Sequence, residues 1–224
     1  MLLMKDKIKE LGYAIAKGSV GSIPLAGGVL SELFSVAFTD PATKRREQIL
    51  LEMDARLKKL EEDGFDIQRL AESEEFLTIA LQAYNIALRT HQAEKRAALM
   101  NAITNTPKLS IDENIKQMYL TYIDDFNEWH LRILSFLDNP LKYFIDNNKP
   151  KPNLYTGSKS AILLQAYPEL ASRREFYDRI VTDLYSRGLI VYDSLHVMMS
   201  EQGLWQSGTS EFGKQFLNET GMSA

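Results

Sequence analysis

Asp124, Asp125, Glu128 and His130 form the densest group of metal-binding side-chain types in the chain. On a helix Asp124 and Glu128 are i,i+4 neighbours, while His130, two residues beyond Glu128, turns to another face. A metal centre needs several converging ligands, so the group is read as an acidic surface and no metal is expected. His91 and His196 stand apart from any nucleophile or carboxylate at a telling spacing and read as surface or partly buried rings rather than catalytic bases. Gly18, Gly21, Gly27 and Gly28 follow no predicted strand and lack a Gly-Lys-Ser/Thr ending, which removes the phosphate-loop reading. There is no cysteine, so disulfides, thiolate nucleophiles and thiolate zinc sites are excluded together. The chain reads as non-enzymatic and without a cofactor.

Phosphate binding is the next chemistry to weigh. Arg173, Arg174 and Arg179, joined by Lys159, are the candidate nucleic-acid contacts. They fall in a stretch whose order suggests a winged helix. A helix from about Ser158 to Tyr167 is followed by one from Ser172 to Arg187, which stops at Gly188. A β-rich run, Leu189 to Met199, a turn holding Gly203 and Gly208, and a closing helix from about Thr209 complete it. In the second helix Phe176, Ile180, Val181 and Leu184 are predicted to point inward, with Leu189 buried behind them and a strand pair around residues 189 to 207. Asp178 and Asp183 interrupt its arginines, and from Pro140 onward nine Lys/Arg face nine Asp/Glu. Phosphate affinity depends on uncompensated cations, so protein packing is the favoured use of this module and DNA binding the alternative.

A third chemistry lies near the start. Residues 18–38 carry Glu32 as their one charge and a candidate membrane or partner surface of Leu25, Leu30, Leu33, Phe34 and Phe38. Their length could cross a bilayer, but Gly18, Gly21, Pro24, Gly27 and Gly28 make a poor spanning helix. The segment is expected to cap a core, with a stored membrane element as the other reading. Lys5, Asp6, Lys7, Lys9 and Glu10 break up the preceding residues and predict no secretory leader.

The elements that must position these groups are mostly helices. The 224 residues are 45% hydrophobic, enough for one core or two small ones, and the net charge of -4 with a pI near 5.5 gives no global field for nucleic acid or anionic lipid. Helical spacing predicts a short amphipathic helix over residues 4–17. A longer one runs from an Asp40–Pro41 start to Glu62 before Gly64, on a stripe of Ile49, Leu50, Met53, Leu57 and Leu60. Lys44, Arg45 and Arg46 sit on its solvated side. A pair capped at Ser73 and broken near Thr90 comes next. A capping box at Ser110 and Glu113 then opens a long helix whose broad face runs from Ile115 to Phe136. A second box is expected at Ser172 and Glu175. The fold class is mainly α, with residues 1–109 as an N-terminal helical bundle and 110–224 as a long helix plus a winged-helix-like module with a small antiparallel hairpin.

Ser22-Ile-Pro-Leu-Ala-Gly-Gly28, Lys44-Arg-Arg46, Arg89-Thr90 with Glu94-Lys-Arg96, and Thr209-Ser-Glu-Phe-Gly-Lys-Gln-Phe-Leu217 together resemble a group of largely uncharacterised bacterial helical proteins with a C-terminal winged-helix-like module. The resemblance implies a bacterial, non-enzymatic protein encoded among accessory or defence genes and transfers no functional residue. The expected protein is cytoplasmic and acts through contacts with a protein partner, with homo-oligomerisation left open. A DNA-binding regulator is the alternative and a membrane-active effector the third reading.

Overall fold

A computed structural model describes residues 44–222 of the chain. The helix expected over residues 4–17, the apolar segment 18–38 with Leu25, Leu30, Leu33, Phe34 and Phe38, and the Asp40–Pro41 start lie outside those residues. The described chain is mainly helical with one two-stranded antiparallel sheet, and it divides into two compact units, Met1–Asp124 and Asp125–Ala224. No helix among the described residues is long and apolar enough to cross a membrane.

The first unit holds α1 (Lys44–Glu62), α2 (Ile67–Ala71), α3 (Glu74–Arg89), α4 (Ala93–Asn105) and α5 (Glu113–Asp125). The stripe Ile49, Leu50, Met53, Leu57 and Leu60 is buried as its spacing requires, each fully buried aliphatic side chain contributing about 1.5–3 kcal/mol. α1 ends at Gly64, whose φ of 92° lets the Gly64 and Phe65 amides bond back to Glu61 and Leu60. Ser73 caps α3 through the Phe76 amide, and the break near Thr90 separates α3 from α4. These two helices pack on each other and bury Ala80, Ala83 and Ala87 of one and Ala98 and Ala102 of the other.

Three expectations fail around α5. Asp112 rather than Ser110 meets its first free amide, at Asn114. The boundary at 109/110 falls inside the first unit, because Lys116 of α5 reaches back to the Thr106 carbonyl at 3.1 Å and to Glu75 at 2.8 Å, and Lys95 of α4 reaches the Asp124 carbonyl at 2.8 Å. The long helix is also two. Asn127 leaves helical geometry and accepts the Trp129 and His130 amides, which ends α5 at Asp125 and starts α6 (Glu128–Asp138).

The second unit continues with α7 (Pro140–Asp146), β1 (Thr156–Ser158), α8 (Lys159–Ala166), a single 3₁₀ turn at Pro168–Leu170, α9 (Arg174–Ser186), β2 (Met198–Ser200), α10 (Glu201–Trp205) and α11 (Glu211–Glu219). Ser158 caps α8, whereas the box expected at Ser172 and Glu175 does not form; Arg173 holds the cap position of α9 without a side-chain bond. The buried face of α9 is Tyr177, Ile180, Val181 and Leu184. Phe176, expected inside, is half-buried, and Arg173 lies 3.9 Å from its ring centre. At the other end Gly188, with φ 72°, turns the chain so that its amide meets Tyr185 and the Leu189 amide meets Leu184. Leu189 then enters the core fully buried.

The sheet expected between residues 189 and 207 takes its second strand from elsewhere. β2 pairs with β1, forty residues upstream, in the register Thr156 to Ser200, Gly157 to Met199 and Ser158 to Met198. Ile190 forms only an isolated bridge with Thr209, held by the Val191 amide on Gly208 and the Ser210 amide on Leu189. That bridge seats α11 against the chain leaving α9 so tightly that a Cβ on Gly213 would collide with the Leu189 carbonyl.

Candidate functional site

Lys159, read as an exposed cation, is fully buried. It opens α8, and its ammonium crosses the fold to donate to the Leu204 carbonyl at 3.0 Å and to the Gln206 carbonyl, both at the end of α10. The Tyr192 ring lies 5.5 Å away. Burial pushes the Lys159 pKa down to about 8. Carbonyls at a helix end carry partial negative charge and lack intrahelical donors, so this amine is an internal cap and does not share a surface with the arginines.

The same device recurs. Lys149 donates to the Ala166 carbonyl that ends α8, at 2.6 Å, beside the Tyr143 hydroxyl at 3.0 Å. Lys116 and Lys95 serve the ends of α4 and α5 in the first unit. These roles were missed in the sequence because a lysine that caps a distant helix has the same local pattern as one on a solvated face. Only Asn127 left a signal, as a cap-type residue within an otherwise helical run.

Arg173, Arg174 and Arg179 are all exposed. Arg174 and Arg179 lie five residues apart and so point about 140° from each other around α9. Arg174 is paired with Asp178 at 3.4 Å. Arg187 is held by Asp183 at 3.1 Å and Asp125 at 3.2 Å; burial opposes its charge, but the two carboxylates outweigh that and raise its pKa. Arg132 is taken by Glu128 at 3.2 Å, and Lys151 by Glu201 at 2.9 Å.

The acidic group around residue 125 is likewise dispersed into local pairs. Asp124 binds Arg89 at 2.7 Å, while Asp125 holds Arg187 and Glu128 holds Arg132. His130 accepts the Asn127 amide at Nδ1, at 3.2 Å, which places the proton on Nε2, facing Asp183 at 3.2 Å; its ring stacks on Phe126 at 4.7 Å. His130 therefore works as half of a capping box. Among the described residues no group of His, Cys, Asp or Glu could hold a metal ion. His91 is exposed. His196 does have a carboxylate partner that sequence spacing concealed: its Nε2 lies 2.7 Å from Asp178 of α9, with Tyr177 packed alongside, and this ties the loop between Ile190 and Met198 to the helix. The Ser160 amide fastens the loop from the other side through the Leu195 carbonyl at 2.9 Å.

Beside the exposed Asp193, that loop presents apolar side chains. Val191 is 53% exposed, Val197 57% and Met198 68%, and Tyr155 at the mouth of β1 is 79% exposed. From Gly188 to Gly213 the chain carries no lysine or arginine and three carboxylates, Asp193, Glu201 and Glu211. The apolar side chains can exclude water against another apolar surface, and the segment has no lysine or arginine to meet a phosphate. No family model, curated protein or solved structure matches the chain.

Proposed function

We propose that the second unit is a winged-helix-like module that acts through protein contacts, with the loop between Ile190 and Met198 as its docking element. The order strand, helix, helix, bridge and strand supports the fold reading. The observation that carries the functional reading is the absence of any lysine or arginine from residues 188–213, where a wing that reads DNA would need them to neutralise phosphates. Large exposed apolar side chains stand there instead, and these gain most from a protein partner. The DNA-binding alternative rests on Arg173 and Arg179, which are exposed and carry no ion pair among the described residues.

Photo-crosslinking in the native host separates the two. A reactive residue at Val197 should trap a protein, and one at Arg179 should trap no nucleic acid. Nucleic-acid adducts at Arg179, or a gel shift at low salt that Arg173→Ala with Arg179→Ala abolishes, would overturn the reading.

A further inference from the structure

We propose that Met198 is a reversible oxidation site for hydroperoxides, which turns the one thioether on the outer face of the two-stranded sheet into a polar group without unfolding it. Met198 alone of the described methionines is more than half exposed, at 68%; Met53 and Met100 are at 1% and 2%, and Met118, Met199 and Met222 are half-buried. Its sulfur is open to an oxidant that cannot reach the core sulfurs without local opening of the fold.

The neighbours of Met198 determine how the fold accommodates the oxidised side chain. Side chains alternate across a strand, and residues paired between antiparallel strands share a face. The register therefore groups Met198 with Ser158 opposite it, and with Thr156 and Ser200 one step along, while Met199 turns the other way against Gly203. Three hydroxyls share a face with one thioether, two of them, Ser158 and Ser200, with their oxygens on first-turn amides of α8 and α10. A thioether is a weak acceptor and makes little use of them. A sulfoxide oxygen is a strong acceptor, and on a side chain 68% exposed it meets solvent on a hydroxyl-bearing face rather than a packed core, so it costs the fold little.

The reaction is an oxygen transfer. The thioether sulfur of Met198 attacks the distal oxygen of a hydroperoxide, a sulfur–oxygen bond forms as the oxygen–oxygen bond breaks, and the hydroperoxide leaves as water or an alcohol after taking up the transferred proton. The sulfur loses two electrons and the peroxide gains them. Methionine sulfoxide reductases reverse the step at the expense of a dithiol. Beside the exposed Val191 and Val197, this places a dipole on the apolar part of the proposed docking element, so its link to function rests on that reading; the chemistry does not.

The full chain treated with hydrogen peroxide tests it. Peptide mass spectrometry over time should show Met198 half-oxidised while Met53 and Met100 are unmodified. The native protein should elute earlier from a hydrophobic-interaction column with an unchanged far-ultraviolet spectrum, and reductase should restore both mass and retention. Met198→Leu should keep its retention under peroxide. Equal oxidation of Met53 or Met100, a loss of helical signal that accompanies oxidation of Met198, or a retention shift that persists in Met198→Leu would each overturn the proposal. If Met198 oxidises as stated but Val197 traps no protein, the docking reading falls and the oxidation site stands.

Discussion

Replacing Lys159 with methionine removes an internal cap and a buried charge together, and the two effects separate with pH. Without the amine the Leu204 and Gln206 carbonyls lose their donor, at about 1–3 kcal/mol for each group left unmet. Against this stands the cost of the charge. Burial lowers the Lys159 pKa from 10.5 to about 8, and at about 1.4 kcal/mol per pH unit the cost of holding the ammonium at neutral pH reaches ~3 kcal/mol. That figure is an upper bound, since hydrogen bonds to the two carbonyls favour the charged form. The sign comes from proton counting. Between about pH 8 and 10.5 the unfolded chain binds more protons than the folded one, so Lys159 makes the wild type gain stability as pH rises through that window. Near pH 7 the two proteins should therefore be close in stability, and by pH 10.5 the wild type should lead by up to ~3 kcal/mol. Urea unfolding of both at matched pH values measures the difference and cancels the titration of all other groups. A difference that stays flat across the window, or one that shrinks as pH rises, would refute the account of Lys159 as a buried cation held by carbonyls.

Asn127→Ala should cost about 1 kcal/mol by leaving the Trp129 and His130 amides uncapped, read as a lowered urea midpoint; an unchanged midpoint would mean that this cap does not end α5. Gly213→Ala should destabilise by about 1–3 kcal/mol, because its methyl would displace the Leu189 backbone and with it the Ile190–Thr209 bridge; the expected result is a lower melting temperature, and tolerance of alanine would show that α11 is not seated there.

Most helices were legible because their signals are local. The α1 stripe repeats at helical spacing over five buried residues, Ser73 caps where a cap was expected, a helix opens at Ser158, and glycine ends α1 at residue 64 and α9 at residue 188. The errors share a cause in tertiary competition. Ile115 to Phe136 keeps one apolar period across the Asn127 break, so periodicity alone could not divide α5 from α6. Phe176 and Tyr177 are adjacent aromatics, and hydrophobicity favoured the phenylalanine; the fold instead buries Tyr177. β2 could not be matched with β1 in advance, since three-residue strands forty positions apart have no local pairing signal. The small sheet was legible as a type of element and its partner was not.

Charge was the least legible property and bears most on function. Counting residues from Asp125 onward gives ten lysines and arginines, a supply that would suit a modest phosphate-binding surface. The structure commits eight of them. Lys149 and Lys159 close helix ends, and Arg132, Lys142, Lys151, Arg174, Arg187 and Lys214 face carboxylates. Exposed pairs of this kind contribute little to stability, yet each lowers the local field that a phosphate would meet. Arg173, at the cap position of α9, and Arg179, within the helix, are left. Two cations would release few counterions on a duplex, and this, with the exposed valine and methionine side chains, is the ground for proposing a protein partner instead. The balance of cations and acids in the sequence could not show where the cations go: they turn inward to carbonyls and sideways to acids, and the proposal of a protein partner rests on the apolar side chains left exposed beside them.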